Sequence, residues 1–556
     1  KIKELSKFEF NTKTISWKRI DELYNAPLFQ KDLINQNFIF QGSLADCYFI
    51  SAITRVASEP YLVKSFFNIE TPEKILGPVQ DSINIKCGAV VVYFYCFGRR
   101  TPVLIDTLVP TIRDGKLKFS RPLDTTKSPW FCLVEKAYAK LNGSYSNIES
   151  GFSSEAIYSF FLYDPIIKEI GDLTSHEKIS KMTVFDRLMK YQKQGAVMSA
   201  SIHLYNNLNN VTKKEINQKN LVLNHSYSLL KARKCGNKCF ILLKNPWGKK
   251  EWNGPWSKNS PLWTSKLKEE LEYDEIQNGA FWMNSKDFFR YFTFFMISKP
   301  IHPEWFCRRF CVQLTPGKHD GYELTNKRSR IEMKPNFVFQ VTTPIPDGKK
   351  CRFHIIVERR SRQFKNKKKN SQYPEYCIFF GNAKGKKLNS KNIFNCKSEM
   401  FFSSDLISSF TYDVYSNDTI TTIILNRLNK SNFTEDFYVL LYSKFDFKLY
   451  NLDYPEYLMN EVENRGVVFE NYSKKNPEIS LPLVPSFVKG KNVITFADSI
   501  DDALSSSREE EIERIRYEID AEQSEASLDA LYPFNDTFNL TYNNKVKYCK
   551  ETSKIN

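Results

Sequence analysis

Residues 41–51 constrain what this 556-residue chain can fold into more than any other stretch. Asp46 and Cys47 precede the apolar run Tyr48-Phe49-Ile50, a pattern that predicts the start of a helix. Backbone N–H groups and the positive end of the helix dipole would then face the cysteine sulfur and lower its pKa. A loop that returns the Gln41 amide beside Cys47 would add a second N–H donor, which is enough for an oxyanion hole. The alternative interpretation of Cys47 is a buried core cysteine.

A histidine and an asparagine far downstream are candidate partners for this cysteine. His225 opens an alternating, strand-like segment, residues 235–239 predict a hairpin turn, and the return strand ends at Asn245. In a Cys–His enzyme the imidazole takes the thiol proton, and a neutral side-chain oxygen fixes the imidazole tautomer. Trp247 would cover that hydrogen bond and exclude water. Viewed alone, such a histidine is more often a core residue with its hydrogen bonds satisfied, and the Asn-Pro pair fits an ordinary turn.

Three separate blocks of the chain resemble those of the calpains, which are papain-like intracellular cysteine proteases. The blocks are residues 41–48, residues 224–228, and residues 245–248 continued by 251–257. The resemblance implies an α+β fold, in which a papain-like protease core of two subdomains is followed by a calpain-type antiparallel β-sandwich.

The same resemblance implies a cysteine endopeptidase that performs limited proteolysis of intracellular proteins. Cys47 would attack the peptide carbonyl, His225 would transfer the proton, and Asn245 would orient the imidazole. Gln41 would hold the oxyanion together with the Cys47 backbone N–H, and Trp247 would shield the pair. The alternative is a catalytically silent calpain-like scaffold or binding protein.

Pattern and resemblance together predict five segments. They are an N-terminal arm (1–40), an α-rich protease subdomain with the nucleophile (41–163), a β-rich subdomain with the histidine and asparagine (164–300), the β-sandwich (301–450) and a C-terminal extension, partly helical or disordered (451–556). Apolar residues at helical spacing predict a core helix from Trp130 to Leu141, and the polar stretch 203–220 predicts a surface loop.

Calcium is the cofactor that the resemblance brings into question. A hard divalent ion needs several oxygen ligands with carboxylates among them. In calpains one calcium loop has an aspartate nine residues before the nucleophile, where this chain has Phe38. At the second calpain site Glu251 is a weak ligand candidate, whereas the other acidic positions fall on Lys258, Asn278 and Ala280. We therefore expect the chemistry to require no cofactor and calcium binding by the core to be weak or absent. No Asp-x-Asp-x-Asp-Gly loop occurs in the sequence, so no EF-hand is expected.

Composition restricts the partners and the compartment. The net charge of +17 is spread along the chain and indicates acidic partners or anionic membranes only weakly. The basic loop 358–369 would touch anionic lipid or an acidic protein, or would be a solvated hairpin loop, and no nucleic acid is expected. Twelve cysteines are too sparse for a disulfide scaffold and suit a reducing compartment, so we predict a cytoplasmic protein. A zinc site is the weaker interpretation of four of them: Cys235, Cys239, Cys307 and Cys311.

Overall fold

The computed structural model of the chain contains two compact units, one over Lys1–Pro300 and one that begins at Ile301. The structure describes residues 15–24, 28, 35–67, 88–112, 115–169, 181–203, 211–273, 278–301, 305–316, 337–360, 375–382, 398–403, 405–417, 419–427, 434–451, 468–469 and 485–486.

The first unit mixes helices and strands. Its helices are α1 (Ile20–Leu23), α2 (Cys47–Ala57), α3 (Pro60–Ser65), α4 (Trp130–Leu141), α5 (Ser153–Phe161), α6 (Lys181–Lys193), α7 (Lys213–Gln218), α8 (Ser265–Glu270) and α9 (Ser285–Tyr291). Its strands are β1 (Ser16–Arg19), β2 (Ile39–Phe40), β3 (Ala89–Cys96), β4 (Arg99–Asp106), β5 (Leu108–Thr111), β6 (Arg121–Pro122), β7 (Asp164–Glu169), β8 (Val197–Ser201), β9 (Ser226–Cys235), β10 (Lys238–Lys244), β11 (Ala280–Asn284) and β12 (Phe294–Lys299). Single 3-10 turns lie at Gln36–Phe38 and Tyr145–Ile148.

Helices α2, α4 and α5 and the hairpin β3–β4 surround the first hydrophobic core of this unit. Every residue of α2 after Cys47 is buried, so this helix runs through the interior instead of along the surface. Helix α4 has the bounds predicted from its apolar spacing, and it buries Trp130, Leu133 and Tyr138. The nucleophile candidate therefore stands at the first turn of a fully packed helix, where its position is well fixed.

The second core of the first unit lies on a six-stranded antiparallel sheet. Its strand order is β11-β10-β9-β8-β12-β7. Strands β9 and β10 form the predicted hairpin, with Cys235 opposite Lys238 and a two-residue turn at Gly236 and Asn237. Gly236 has φ = 56°, the left-handed conformation that such a tight turn requires. The ends of β9 and β10 that lie opposite the turn are neighbours, so His225 and Asn245, which adjoin them, lie at the same end of the hairpin.

One local prediction was wrong. Part of the polar stretch 203–220 is helix α7, which begins after Thr212, whose Oγ1 accepts a hydrogen bond from the Glu215 backbone N–H at 3.1 Å. Ile216 is fully buried and anchors the helix to the second core. A single apolar anchor in a polar run gives too weak a periodic signal to predict a helix. Residues 204–210 lie outside the described part of the chain.

The second unit consists of antiparallel strands. They are β13 (Phe306–Leu314), β14 (Phe337–Val341), β15 (Cys351–Arg360), β16 (Tyr376–Asn382), β17 (Ser398–Ser403), β18 (Ile407–Val414), β19 (Ile420–Arg427), β20 (Glu435–Ser443), β21 (Phe447–Asn451), β22 (Val468–Phe469) and β23 (Pro485–Ser486). One sheet has the order β13-β20-β15-β18 and the other β17-β16-β19-β14-β21. Their apolar faces share one core, in which Phe310 stacks on Phe337 with 3.9 Å between ring centroids. The α+β class expected for the whole chain is confirmed.

Part of the basic loop predicted at 358–369 is strand. Glu358 and Arg359 belong to strand β15, and both are buried. Residues 361–369 lie outside the described part of the chain, as does the predicted extension 451–556 apart from Asn451 and strands β22 and β23. Among the described residues, the helices are all too short or too polar to cross a membrane.

Candidate active site

Cys47 is the first residue of α2, and this helix is hydrogen-bonded to the strand that follows His225. Ser228 Oγ on β9 donates to the Ser51 backbone oxygen at 2.8 Å, and the two serine hydroxyls lie 3.2 Å apart. Both serines are fully buried. A backbone hydrogen bond from Ser226 reaches the Cys47 sulfur itself. The cysteine is therefore next to the histidine segment although 178 positions separate the two residues in sequence.

His225 and Asn245 form the hydrogen bond that their positions on the hairpin predict. His225 Nε2 lies 2.8 Å from Asn245 Oδ1, and both residues are buried. An amide oxygen can only accept, so this contact places the proton on Nε2 and leaves Nδ1 as the basic nitrogen. The Asn245 backbone N–H donates to the Gly279 oxygen at 3.0 Å, which fixes the loop that carries the amide.

Trp247 covers the histidine–asparagine pair. Its ring centroid lies 4.4 Å from that of His225, and its backbone N–H donates to Asn245 Oδ1 at 3.0 Å. The amide nitrogen of Asn245 in turn lies 3.4 Å from the Lys250 backbone oxygen. Both ends of the Asn245 amide are thus held by the loop 246–250, which orients the oxygen that the imidazole contacts.

The proton affinities of Cys47 and His225 both favour the uncharged forms. Burial raises the pKa of the Cys47 thiol to about 11, although backbone hydrogen bonds from Ser226, Tyr48 and Cys47 itself lower it. Burial lowers the pKa of His225 to about 4, against the contribution of the Asn245 hydrogen bond. The predicted lowering of the cysteine pKa by the helix start is therefore present as a contribution, but desolvation outweighs it. A thiolate at neutral pH must form together with an imidazolium, each stabilised by the charge of the other.

Gln41 is buried and lies on a segment that is tied to the Asn245 loop. Its backbone N–H donates to the Pro246 oxygen at 2.9 Å, while its side-chain Nε2 donates to the Leu44 oxygen at 2.7 Å. One of the two amide hydrogens is thus used, and the other can donate to a further acceptor. The Gln41 side-chain oxygen has no hydrogen-bond partner among the described residues. The role of Gln41 as an oxyanion donor stays a prediction.

Two buried ionisable features next to the site were not predicted from the sequence. Lys244 immediately precedes Asn245 and is fully buried; its Nζ donates to the Gln36 backbone oxygen and lies 5.4 Å from the centre of the Phe40 ring. Asp46 immediately precedes Cys47 and is buried beside the equally buried Glu135 of α4. A lysine at the end of an apolar strand was a visible signal, whereas no sequence pattern connects Asp46 with Glu135.

The predicted calcium positions do not provide a set of oxygen ligands. The Glu251 carboxylate accepts a hydrogen bond from the Gly279 backbone N–H at 3.1 Å. The ammonium of Lys127 lies 4.7 Å from the centre of the Phe38 ring, so a cation already faces the first position. Among the described residues no group of three or more His, Cys, Asp or Glu side chains is arranged to hold a metal ion. The residues present at these positions do not fit calcium, because Glu251 supplies the one carboxylate among them and phenylalanine, lysine and alanine have no side-chain oxygen.

Comparisons with known proteins agree with the site. The chain is 32% identical over 301 residues to the calpain-1 catalytic subunit of Rattus norvegicus, which covers 52% of this chain and 39% of the rat protein. It is 28% identical over 370 residues to calpain-5 of Mus musculus, covering 60% of this chain and 55% of the mouse protein. The chain thus spans about two fifths to just over half of the length of these relatives. A solved clostridial cysteine protease is similar at 11% identity over 81% of this chain and 95% of its own, with a TM-score of 0.20, which is too low to establish a shared fold.

A protein-family model also matches the chain. The model of the calpain family of cysteine proteases matches residues 2–299, which is more than half of the chain and contains every candidate catalytic residue. The chain belongs to the calpain family of cysteine proteases.

Proposed function

We propose that this chain is a cysteine endopeptidase in which Cys47, His225 and Asn245 act as a catalytic triad on protein substrates. The main support for this proposal is the buried contact of 2.8 Å between His225 Nε2 and Asn245 Oδ1. Cys47 is the first residue of the neighbouring helix α2. This arrangement leaves His225 Nδ1 as the base toward the thiol. Trp247 shields the hydrogen bond from water.

The proposed reaction proceeds through a thioester. His225 accepts the Cys47 proton, the sulfur bonds to the substrate carbonyl carbon, and the oxyanion accepts hydrogen bonds from the Gln41 amide and the Cys47 backbone N–H. The peptide C–N bond then breaks as His225 gives its proton to the leaving amine. A water molecule, deprotonated by His225, attacks the thioester and releases the carboxylic acid and the free thiol.

The proposal extends to the finer architecture. The two hydrophobic cores of the first unit support two papain-like subdomains, and the paired sheets of the second unit support a calpain-type β-sandwich. We further propose that the chemistry needs no cofactor, and the loss of all but one carboxylate at the calpain calcium positions supports this. The five segment boundaries and a cytoplasmic location stay predictions.

A silent scaffold is the second candidate, and one observation favours it. A thiol with a pKa of about 11 and an imidazole with a pKa of about 4 both stay neutral at pH 7 unless they exchange a proton as a pair. A scaffold would retain such a neutral pair. Its thiol would react as an ordinary buried cysteine, whereas a protease would react as an ion pair.

Covalent labelling separates the two candidates. The purified chain is treated with a peptidyl epoxide, with calcium and with a chelator, and the modified residue is identified by mass spectrometry. Cys47→Ala is the negative variant, and Cys96→Ala is the matched control because Cys96 is similarly half-buried. We expect labelling of Cys47 in chelator, at a rate that changes little from pH 7 to pH 9. A rate that climbs steadily toward pH 11 would support the scaffold, and labelling only with calcium would contradict the cofactor proposal.

A further inference from the structure

Two exposed lysines follow the catalytic loop directly. Lys249 and Lys250 are solvent-exposed, and Lys250 has φ = 60°, a left-handed conformation that is uncommon for a residue with a side chain. The Lys250 ammonium lies 5.5 Å from the centre of the Trp247 ring, on the same indole that contacts His225 at 4.4 Å. A single aromatic ring therefore connects this positive charge with the catalytic imidazole.

The positive charge of Lys250 acts on the imidazole of His225. It contributes to the lowered pKa of His225, after burial. The backbone of the same residue contacts the Asn245 amide, so the loop cannot move away without disturbing the triad. A substrate group that approaches the Cys47 sulfur beside Trp247 therefore comes into the field of Lys250.

Neighbouring lysines extend this positive surface. Lys213 and Lys214 lie on α7, and Lys219 follows directly after this helix. Side-chain amides join the two segments: Asn220 Nδ2 donates to the Glu251 oxygen and Asn253 Nδ2 donates to the Gln218 oxygen, both at 2.8 Å.

Acidic groups near this surface already have partners. The carboxylate of Glu215 on α7 accepts hydrogen bonds from Arg290 and from the Tyr291 hydroxyl, each at 2.9 Å. The Glu251 carboxylate accepts from the Gly279 backbone N–H. None of the five lysines at positions 213, 214, 219, 249 and 250 forms an ion pair with a described carboxylate. Their charge is therefore directed to solvent and to whatever binds there.

We infer that Lys250, supported by Lys249 and the α7 lysines, makes this site select substrates that carry an acidic side chain close to the scissile bond. The inference rests on the proposed endopeptidase function. Opposite charges across an exposed contact add modest affinity, whereas like charges exclude the wrong partner more strongly. Acidic peptides are therefore preferred and basic ones are disfavoured at the same position.

The test uses peptides that differ in one residue. A fluorogenic peptide is made with Asp, Asn or Lys at each of the three positions on either side of the scissile bond. The full chain is compared with Lys250→Glu, and with Lys234→Glu as the matched control. Lys234 is also exposed and carries the same charge, but it lies on β9 nine residues beyond His225, roughly 30 Å away for an extended strand.

The expected result is a preference in kcat/KM for Asp over Lys of roughly 3- to 10-fold at one or more positions. The preference should shrink in 0.5 M salt, because these charges are exposed. In Lys250→Glu it should disappear or reverse, while Lys234→Glu keeps it. Equal cleavage of all three peptides, or an unchanged preference in Lys250→Glu, would overturn the inference.

A binding measurement keeps this result separate from the proposed chemistry. Fluorescence anisotropy of the same peptides with Cys47→Ala reports their preference without any turnover. If no peptide is cleaved by the wild-type chain but Asp peptides still bind more tightly than Lys peptides, the endopeptidase proposal fails and the acidic preference stands. If the peptides are cleaved but neither measurement shows a charge preference, the endopeptidase proposal stands and the acidic preference fails.

Discussion

A buried ion pair in the second unit contrasts with three buried ionisable groups in the first unit. In the second unit Arg359 and Glu435 are both fully buried and form two parallel hydrogen bonds, of 2.7 Å and 2.9 Å. The rings of Phe437 and Tyr376 lie 5.1 Å and 5.4 Å from the guanidinium carbon. Each charge therefore has its opposite at contact distance, and the guanidinium also faces two aromatic rings.

The first unit buries Lys244, Asp46 and Glu135, which form no ion pair with a described residue. Lys244 faces a backbone oxygen and an aromatic ring, and burial lowers its pKa to about 7. Burial raises the pKa of Glu135 to about 7 and that of Asp46 well above its ordinary value, with Glu135 raising it further.

The unpaired groups are not randomly placed. Asp46 immediately precedes Cys47, and Lys244 immediately precedes Asn245. Residues with shifted pKa values cluster at functional sites, whereas a buried charge that is paired with its opposite commonly has a structural role. The comparison indicates that the Arg359–Glu435 pair serves the structure of the second unit, whereas Asp46 and Lys244 place titratable groups next to the proposed catalytic residues.

Breaking the pair in the second unit should have the largest effect. Arg359→Met leaves the Glu435 carboxylate buried and unpaired, so we expect the unit to lose about 3–5 kcal/mol of stability. Hydrogen–deuterium exchange of peptides from β15 and β20 measures this unit by itself. The double variant Arg359→Met/Glu435→Leu should regain most of the loss, because no charge is then left without a partner. A double variant as unstable as the single one would mean that packing, and not charge, is decisive there.

Removing Lys244 should change how stability depends on pH. The folded pKa is about 7 and the ordinary value is 10.5, so the folded protein releases the proton first. The titration of Lys244 should therefore add to wild-type stability a rise with pH from about 7 to about 10, of up to about 1.4 kcal/mol per pH unit. Lys244→Met removes this titration and should flatten the rise, which urea unfolding at several pH values measures.

The exposed Lys286 supplies the control for that experiment. Lys286→Met changes the same residue type on α9 and should keep the wild-type rise with pH. Parallel pH curves for wild type and Lys244→Met would show that the ammonium is not desolvated in solution.

The elements that carry the proposed triad could be predicted because their signals are local. Helix α4 was predicted with its observed bounds, and the hairpin of β9 and β10 was predicted from its turn and alternation. The contact between His225 and Asn245 follows directly, since residues at the open end of a hairpin are neighbours. Position in a paired element is thus enough to bring these two side chains together.

The electrostatics of the site could not be predicted, because they depend on burial by distant segments. The helix start at Cys47 correctly indicated N–H groups at the sulfur, but the pKa is raised since the surrounding core removes water. Asp46 and Glu135 meet only when α2 and α4 pack together, 89 positions apart in sequence. No periodic pattern reports such a meeting. Helix α7 was missed because its only apolar anchor is Ile216.

The acid pair beside Cys47 should give the smallest and opposite pH effect. The folded pKa of Glu135 is about 7 and its ordinary value is 4.5, so the folded protein holds the proton longer than the unfolded chain. Its contribution to stability is complete below about pH 4.5 and is lost as the pH rises through about 7. Glu135→Gln should reduce this loss of stability. The reduction should be smaller than the full contribution of one titrating group, because Asp46 stays buried in the variant.

Urea unfolding between pH 4.5 and 7.5 measures the effect, with the exposed Glu269→Gln on α8 as the control. Gln keeps the carbonyl that accepts from Ser120, whose hydroxyl lies 2.8 Å from the Glu135 carboxyl, so a large loss of stability at every pH is not expected. A wild-type curve that does not fall relative to Glu135→Gln would show that the pair is ionised and compensated in solution. Asp46 and Glu135 would then no longer differ from the paired charges of the second unit, and the contrast between the units would rest on Lys244 alone.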